Sequence, residues 1–187
     1  MNEAATHSPA ARSGSVGWEV RPARDEDARA VAAAVATLVA ELGGSPPPRA
    51  AIEAEALAHI ADPSLGIVLV AGTLEVSSQL QPDSGHNCER TGAGGLVGVL
   101  TASWARAIQV AGRLLTIEVL WTRREWRDRG VGATLIEALV AAAAAERAGR
   151  VEVGLPRESF AALRATERFY LANGFERLGP RMRRSIP

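Results

Sequence analysis

The chain predicts an α/β fold of one domain, a sheet of about six to seven strands flanked by about four helices, and three observations carry that reading. Its 187 residues are the size of one domain, and 47% are hydrophobic, enough to bury a sizeable core. The apolar residues alternate between period 2 and period 3.6 in the order β-α-α-β-β-β-α-β-α-β-β, with no internal repeat. Residues 114–155 read as strand, glycine-containing loop, helix and strand, a crossover that leaves its two strands parallel or nearly so.

Residues 1–17 mix Ala, Ser, Gly, Pro and polar residues without apolar period, which predicts a disordered leader ahead of a domain at 18–187. A short strand at Trp18 to Arg21 opens the fold. Asp25, Glu26 and Asp27 then place negative charge where a helix N-terminus favours it, and Val31, Val35, Leu38, Val39 and Leu42 follow at helical spacing until Gly43-Gly44. Pro46 to Pro48 stiffen a turn, and Ile52, Leu57 and Ile60 mark a second helix that stops before Pro63. Ile67 to Val70 and Leu96 to Trp104 read as strands, separated by an inserted surface loop at 74–95 whose polar part runs from Ser77 to Gly95.

The strand from Leu114 to Thr122 is the most informative. Strict alternation puts Leu115, Ile117, Val119 and Trp121 on one face and Thr116, Glu118, Leu120 and Thr122 on the other. A helix over Gly130 to Arg147 and a strand over Val151 to Leu155 complete the crossover. A last helix covers roughly Phe160 to Ala172 and closes at Asn173-Gly174, after which Phe175 to Leu178 and Arg181 to Ser185 can add a hairpin.

Composition removes several classes of function. The 21 basic and 21 acidic residues cancel, so no global field favours nucleic acid or an acidic membrane surface. Every basic residue is arginine, which excludes a lysine Schiff base and a P-loop lysine. Cys88 is the single cysteine, so no internal disulfide forms. The alanine-rich stretch Ala138 to Ala148 is too short to span a bilayer, and a cytoplasmic protein is expected. His59, and His86 with Cys88, lack further ligands at suitable spacing, so no metal is expected. Trp104 and Trp126 stand at a strand end and in a turn, where packing is the commoner role.

Chemistry concentrates at Arg127-Asp128-Arg129-Gly130-Val131-Gly132-Ala133. Small residues bare the backbone there, so successive N–H groups and the helix N-terminus can hold a phosphate or pyrophosphate, with Arg127 and Arg129 adding charge at the rim. A dinucleotide fold would want Gly or Ala at Leu135, and a Walker loop would want lysine. A plain glycine turn before a helix is the competing reading of the loop alone.

The stretch from Ile117 to Gly132 resembles motif A of the GCN5-related N-acetyltransferases (GNAT), whose hallmark is Arg/Gln-x-x-Gly-x-Gly/Ala after a strand and a short turn. Phe169-Tyr170-Leu171-Ala172-Asn173-Gly174-Phe175 is similar to the family's Phe-Tyr-x-x-x-Gly-Phe, and Val20 to Asp27 resembles its N-terminal strand and helix entry. The region Leu155 to Ser159 lacks the family's frequent Asn, and Arg124 stands where proline is common. The resemblance implies a mixed, mostly antiparallel twisted sheet and acetyl-CoA as co-substrate. It also implies cofactor contacts from Leu120, Trp121 and Thr122 of the strand and from Arg127 to Ala133 of the loop, and it allows a homodimer through the C-terminal strands.

In that family the pantetheine arm pairs with the motif A strand at a bulge, so backbone groups of Leu120 and Thr122 would meet it, and an N–H near Leu120 would polarise the thioester. Glu118, a carboxylate in an apolar strand on the face assigned to Leu120, is the expected general base, its proton affinity raised by shielding from water. A glutamate on a solvated sheet face is the competing reading. By resemblance the hydroxyl of Tyr170, the only tyrosine, is the general acid toward the sulfur. The expected function is transfer of an acetyl group from acetyl-CoA to a primary amine by direct attack in a ternary complex, with a small-molecule acceptor preferred. A catalytically silent acyl-CoA-binding regulatory module and a protein acetyltransferase acting on an N-terminus or side chain are the alternatives.

Overall fold

The computed structural model describes residues 17–73 and 95–179. The expected leader, the inserted loop with His86 and Cys88, and the expected strand at Arg181 to Ser185 lie outside them, save for Gly17 and Gly95. The elements are β1 (Trp18–Pro22), α1 (Ala28–Glu41), α2 (Arg49–Ala61), β2 (Gly66–Thr73), β3 (Leu96–Ala107), β4 (Gly112–Thr122), α3 (Val131–Ala145), β5 (Arg150–Val153) and α4 (Leu163–Ala172).

The sheet order is β1-β2-β3-β4-β5, antiparallel up to β4, with β4 and β5 parallel as the crossover pattern requires. Among the described residues it has five strands rather than six or seven. Phe175 to Leu178 leaves α4 as irregular chain, a correction to the expected strand.

Helices cover both faces, so the central strands are apolar on both sides. Val68, Val70 and Val99 pack under Ala28, Val31 and Ala34 of α1 and Ala56 of α2. Leu69, Val97, Leu100, Leu115 and Ile117 pack on the opposite face against Val131, Leu135, Ile136 and Leu139 of α3. In α2 the small Ala56 takes the buried position, and Leu57, expected on the apolar face, is exposed.

Two contacts fix how the ends of this sandwich meet. Asp27 is 1% exposed and accepts hydrogen bonds from Nη1 and Nη2 of Arg21, at 2.6 and 3.0 Å, as well as from the Arg24 N–H at 2.8 Å. The acidic cluster therefore does more than complement a helix dipole: its last member ties α1 to β1. At the other face Gly98 of β3 lies directly beneath α3. A Cβ there would stand 2.7 Å from Val131 Cγ1 and 2.9 Å from Leu135 Cδ1, so only a glycine lets the first turn of α3 sit this low on the sheet.

Candidate active site

The strand β4 departs from simple alternation at one residue. Thr101 of β3 faces Val119, but Ala102 faces Ile117, so Glu118 is an extra residue in the ladder, a β-bulge. One inserted residue exchanges the faces of everything beyond it. Ile117 and Leu120 accordingly pack on the α3 side, whereas Trp121 packs with the α1 and α2 cluster and Val119 lines a cavity under those helices. The expectation that Glu118 and Leu120 share a face is thus corrected, and so is the placing of Val119 and Trp121 with Ile117.

The same strand loses its other neighbour at the same place. Pairing of β4 with β5 runs from Leu114↔Arg150 to Ile117↔Val153 and ends there. Among the described residues no strand pairs with the β5-side edge of β4 from Glu118 to Thr122, and the chain then leads to the loop expected to bind phosphate. An open strand edge that runs into a helix N-terminus suits an extended ligand that offers amide groups at one end and phosphate at the other.

The loop is built as the sequence suggests in backbone terms. After a short 3₁₀ turn at Arg124–Trp126, Asp128 (φ 60°) and Gly130 (φ 87°) are both left-handed, a shape that turns successive N–H groups to one side. Gly130 is the N-cap of α3, and no side chain caps the helix. The first helical bond runs from the Thr134 N–H to the Gly130 carbonyl at 3.0 Å, so the N–H groups of Val131, Gly132 and Ala133 precede the ladder. Val131 is buried and anchors the turn. Gly132 has a second reason to be small: a Cβ there would lie 3.1 Å from Cζ of Phe169 in α4.

The two arginines differ from the expected rim. Arg127 turns away to Glu41 at the end of α1, with Nη2 at 2.9 and 2.7 Å from its two carboxylate oxygens, and its Nε donates to the Thr122 carbonyl at 3.1 Å. Its charge is thus engaged in fixing the loop, and the Thr122 carbonyl expected to meet an arm already accepts a hydrogen bond. Arg129 lies over the Trp126 ring, 5.3 Å from its centroid, and Trp126 in turn meets Trp18 edge to face at 5.9 Å. Trp126 is packing, as is Trp104, which carries the Arg113 guanidinium at 3.9 Å.

Glu118 is exposed, so the shielding expected for its carboxylate is absent. It nevertheless lines a cavity of about 120 Å³ walled by Val31, Val35, Ile52, Val68 and Val119, with Thr101, Glu55 and His59 among its polar members. Tyr170 is 8% exposed, held edge to face between Phe169 and Phe175 at 5.3 Å from each, and burial pushes its phenol up to about 12. His59, which has no metal-ligand spacing in the sequence, also lines the cavity beside Glu118. Its signal was available as a polar residue one position from the apolar Ile60, but the β3 partner it faces lies 44 residues away. Among the described residues no group of three or more His, Cys, Asp or Glu is placed to hold a metal ion, and no helix is long and apolar enough to cross a membrane.

Comparison with known proteins supplies a frame for this geometry. Residues 87–177 match the family model of the acetyltransferase (GNAT) domain. No curated protein matches the sequence. Among solved structures the chain resembles a possible acetyltransferase from Clostridium difficile 630, with a TM-score of 0.69 at 15% identity over 91% of this chain and 97% of that one. It also resembles a predicted acetyltransferase with acetyl-CoA from Clostridium acetobutylicum, with a TM-score of 0.65 at 12% identity over 90% and 96%. A third is the glucosamine-6-phosphate N-acetyltransferase of Arabidopsis thaliana, with a TM-score of 0.63 at 10% identity over 91% and 99%. At these identities the likeness speaks to the fold, which is shared across nearly the whole of each chain.

Proposed function

Since residues 87–177 match the GNAT acetyltransferase domain model and the described chain shares its fold with a possible acetyltransferase of known structure, we propose that this protein is an acetyl-CoA-dependent N-acetyltransferase that acylates a primary amine directly in a ternary complex. The observation that carries the proposal is the end of β4–β5 pairing at Ile117↔Val153, which leaves the last residues of β4 unpaired on that side ahead of the loop at 127–133 among the described residues. Bound there, acetyl-CoA supplies the thioester and the thiolate leaving group.

The chain's own residues divide the work. The N–H groups ahead of the α3 ladder and the positive end of the helix hold the pyrophosphate, without need of a lysine. The open edge of β4 aligns the arm, and the backbone at Leu120 polarises the thioester oxygen. Glu118, carried out of the ladder by the bulge, draws the ammonium form of the acceptor toward the cavity under α1 and α2. Tyr170 acts by hydrogen bonding. A phenol at about 12 keeps its proton against a thiolate of ordinary basicity, about 8.5 for a thiol, so it steadies the leaving group as a donor. The small apolar cavity supports a small-molecule amine on a short aliphatic stem as acceptor.

The test is thiol release from acetyl-CoA against a panel of linear diamines, amino acids, aminosugars and short peptides, run beside calorimetric binding of CoA. Amine-dependent release is the expected outcome. Tight binding of CoA with no release from any amine would replace the enzyme with a silent binding module, and release with peptides alone would move the acceptor to a protein.

A further inference from the structure

Three side chains from two distant parts of the chain line up on the acceptor side of the sheet. The His59 Nδ1 lies 3.0 Å from the Glu55 carbonyl and 3.3 Å from its carboxylate, and Nε2 lies 3.4 Å from the Ser103 Oγ. Both partners of Nδ1 only accept, so in the neutral ring Nδ1 carries the proton and Nε2 turns a lone pair toward the serine. Ser103 shares a face of β3 with Thr101, which lines the cavity together with Glu55, His59 and Glu118. The ring also lies against β2: a Cβ on Gly66 would clash with the Ala102 carbonyl and stand 3.1 Å from His59 Cδ2.

From this alignment, and resting on the acetyltransferase reading above, we infer that Glu55, His59 and Ser103 form a proton relay that deprotonates the acceptor amine. The ammonium N–H bond breaks and its proton passes to Ser103 Oγ. The serine O–H bond breaks in the same movement and its proton passes to His59 Nε2, so the hydroxyl is restored and the amine is left neutral with a lone pair for the thioester carbon. The imidazolium is held by Glu55, whose side chain is 73% exposed and hands the proton on to water. Carboxylates and valines surround the ring. Glu55 flanks it on α2 and Glu118 faces the same cavity from β4, while α1 and β2 present Val31, Val35 and Val68. Glu118 then serves to attract and orient the cation, and His59 removes its proton. A general base of this kind contributes about 10² to 10⁴-fold.

The experiment measures kcat and KM for the best amine of the panel with His59→Ala and Ser103→Ala in the full chain. Alanine suits the helix at 59 and is nearly isosteric with serine at 103, so both variants should fold, which their melting curves check. We expect kcat to fall at least a hundredfold in His59→Ala, with CoA affinity unchanged and with added imidazole restoring part of the rate. Ser103→Ala should lose rate without such rescue. An active wild type with kcat within twofold in His59→Ala overturns the relay alone and leaves Glu118 as base, and a loss that imidazole does not rescue overturns it as a structural effect. A wild type that binds CoA and acetylates no amine overturns the relay together with the reading it rests on.

Discussion

Asp27 and Tyr170 show how much depends on single side chains. Burial alone would raise the Asp27 carboxyl, but the Arg21 guanidinium and the Arg24 N–H more than reverse it and hold the group below its ordinary 3.8. Its contribution is therefore present above that value and is lost as pH falls through the lower folded value. Asp27→Ala should lower stability by about 2–3 kcal/mol in urea melts at neutral pH, since it leaves a part-buried arginine without its carboxylate. Tyr170 works in the opposite direction of pH. Its raised phenol contributes stability that is full below pH 10 and declines as pH rises through about 12, a loss of about 3 kcal/mol. Urea melts at pH 9 and pH 11.5 should diverge in the wild type and converge in Tyr170→Phe. The same variant should lower kcat by about 10 to 100-fold, the range of one hydrogen bond to a charged group, with CoA binding retained.

Among the elements, β4 and α3 carry the site, and each was legible to a different depth. The strand, the loop and the helix were all readable in 114–147, because period and glycine placement are local signals. The bulge was not. Strict alternation in the sequence assigns Val119 and Trp121 to the face of Ile117, and only the partner strand reveals that Glu118 is skipped. The roles of the glycines were likewise half visible. Gly130 is left-handed for the turn, but Gly132 also faces Phe169, a residue 37 positions later. Gly132→Val should therefore force α4 away from the head of α3 and raise the KM for acetyl-CoA severalfold. Gly98→Val should cost about 1–3 kcal/mol of stability, because Val131 and Leu135 occupy the space its side chain needs. Arg127 is the counterexample: its ion pair with Glu41 is 42% and 40% exposed, so Arg127→Ala should change stability by less than about 1 kcal/mol.

At the scale of the whole molecule, a ligand that spans the β4 edge and the α3 terminus should stabilise the native state by mass action. Each tenfold rise of CoA above its Kd should add about 1.4 kcal/mol, seen as a Tm that climbs with concentration, whereas NAD and ATP should leave Tm flat. By itself the sequence determined the order of strands and helices from β1 to α4, the parallel crossover and the position of the loop, because periodicity, turn residues and glycine spacing act over a few neighbours. The tertiary structure alone decided which face Glu118 takes, where Arg127 points, how deeply Tyr170 is buried, and that His59 meets Ser103. The Arg127–Glu41 and His59–Ser103 contacts span 86 and 44 residues, and such contacts arise only when packing brings distant elements together.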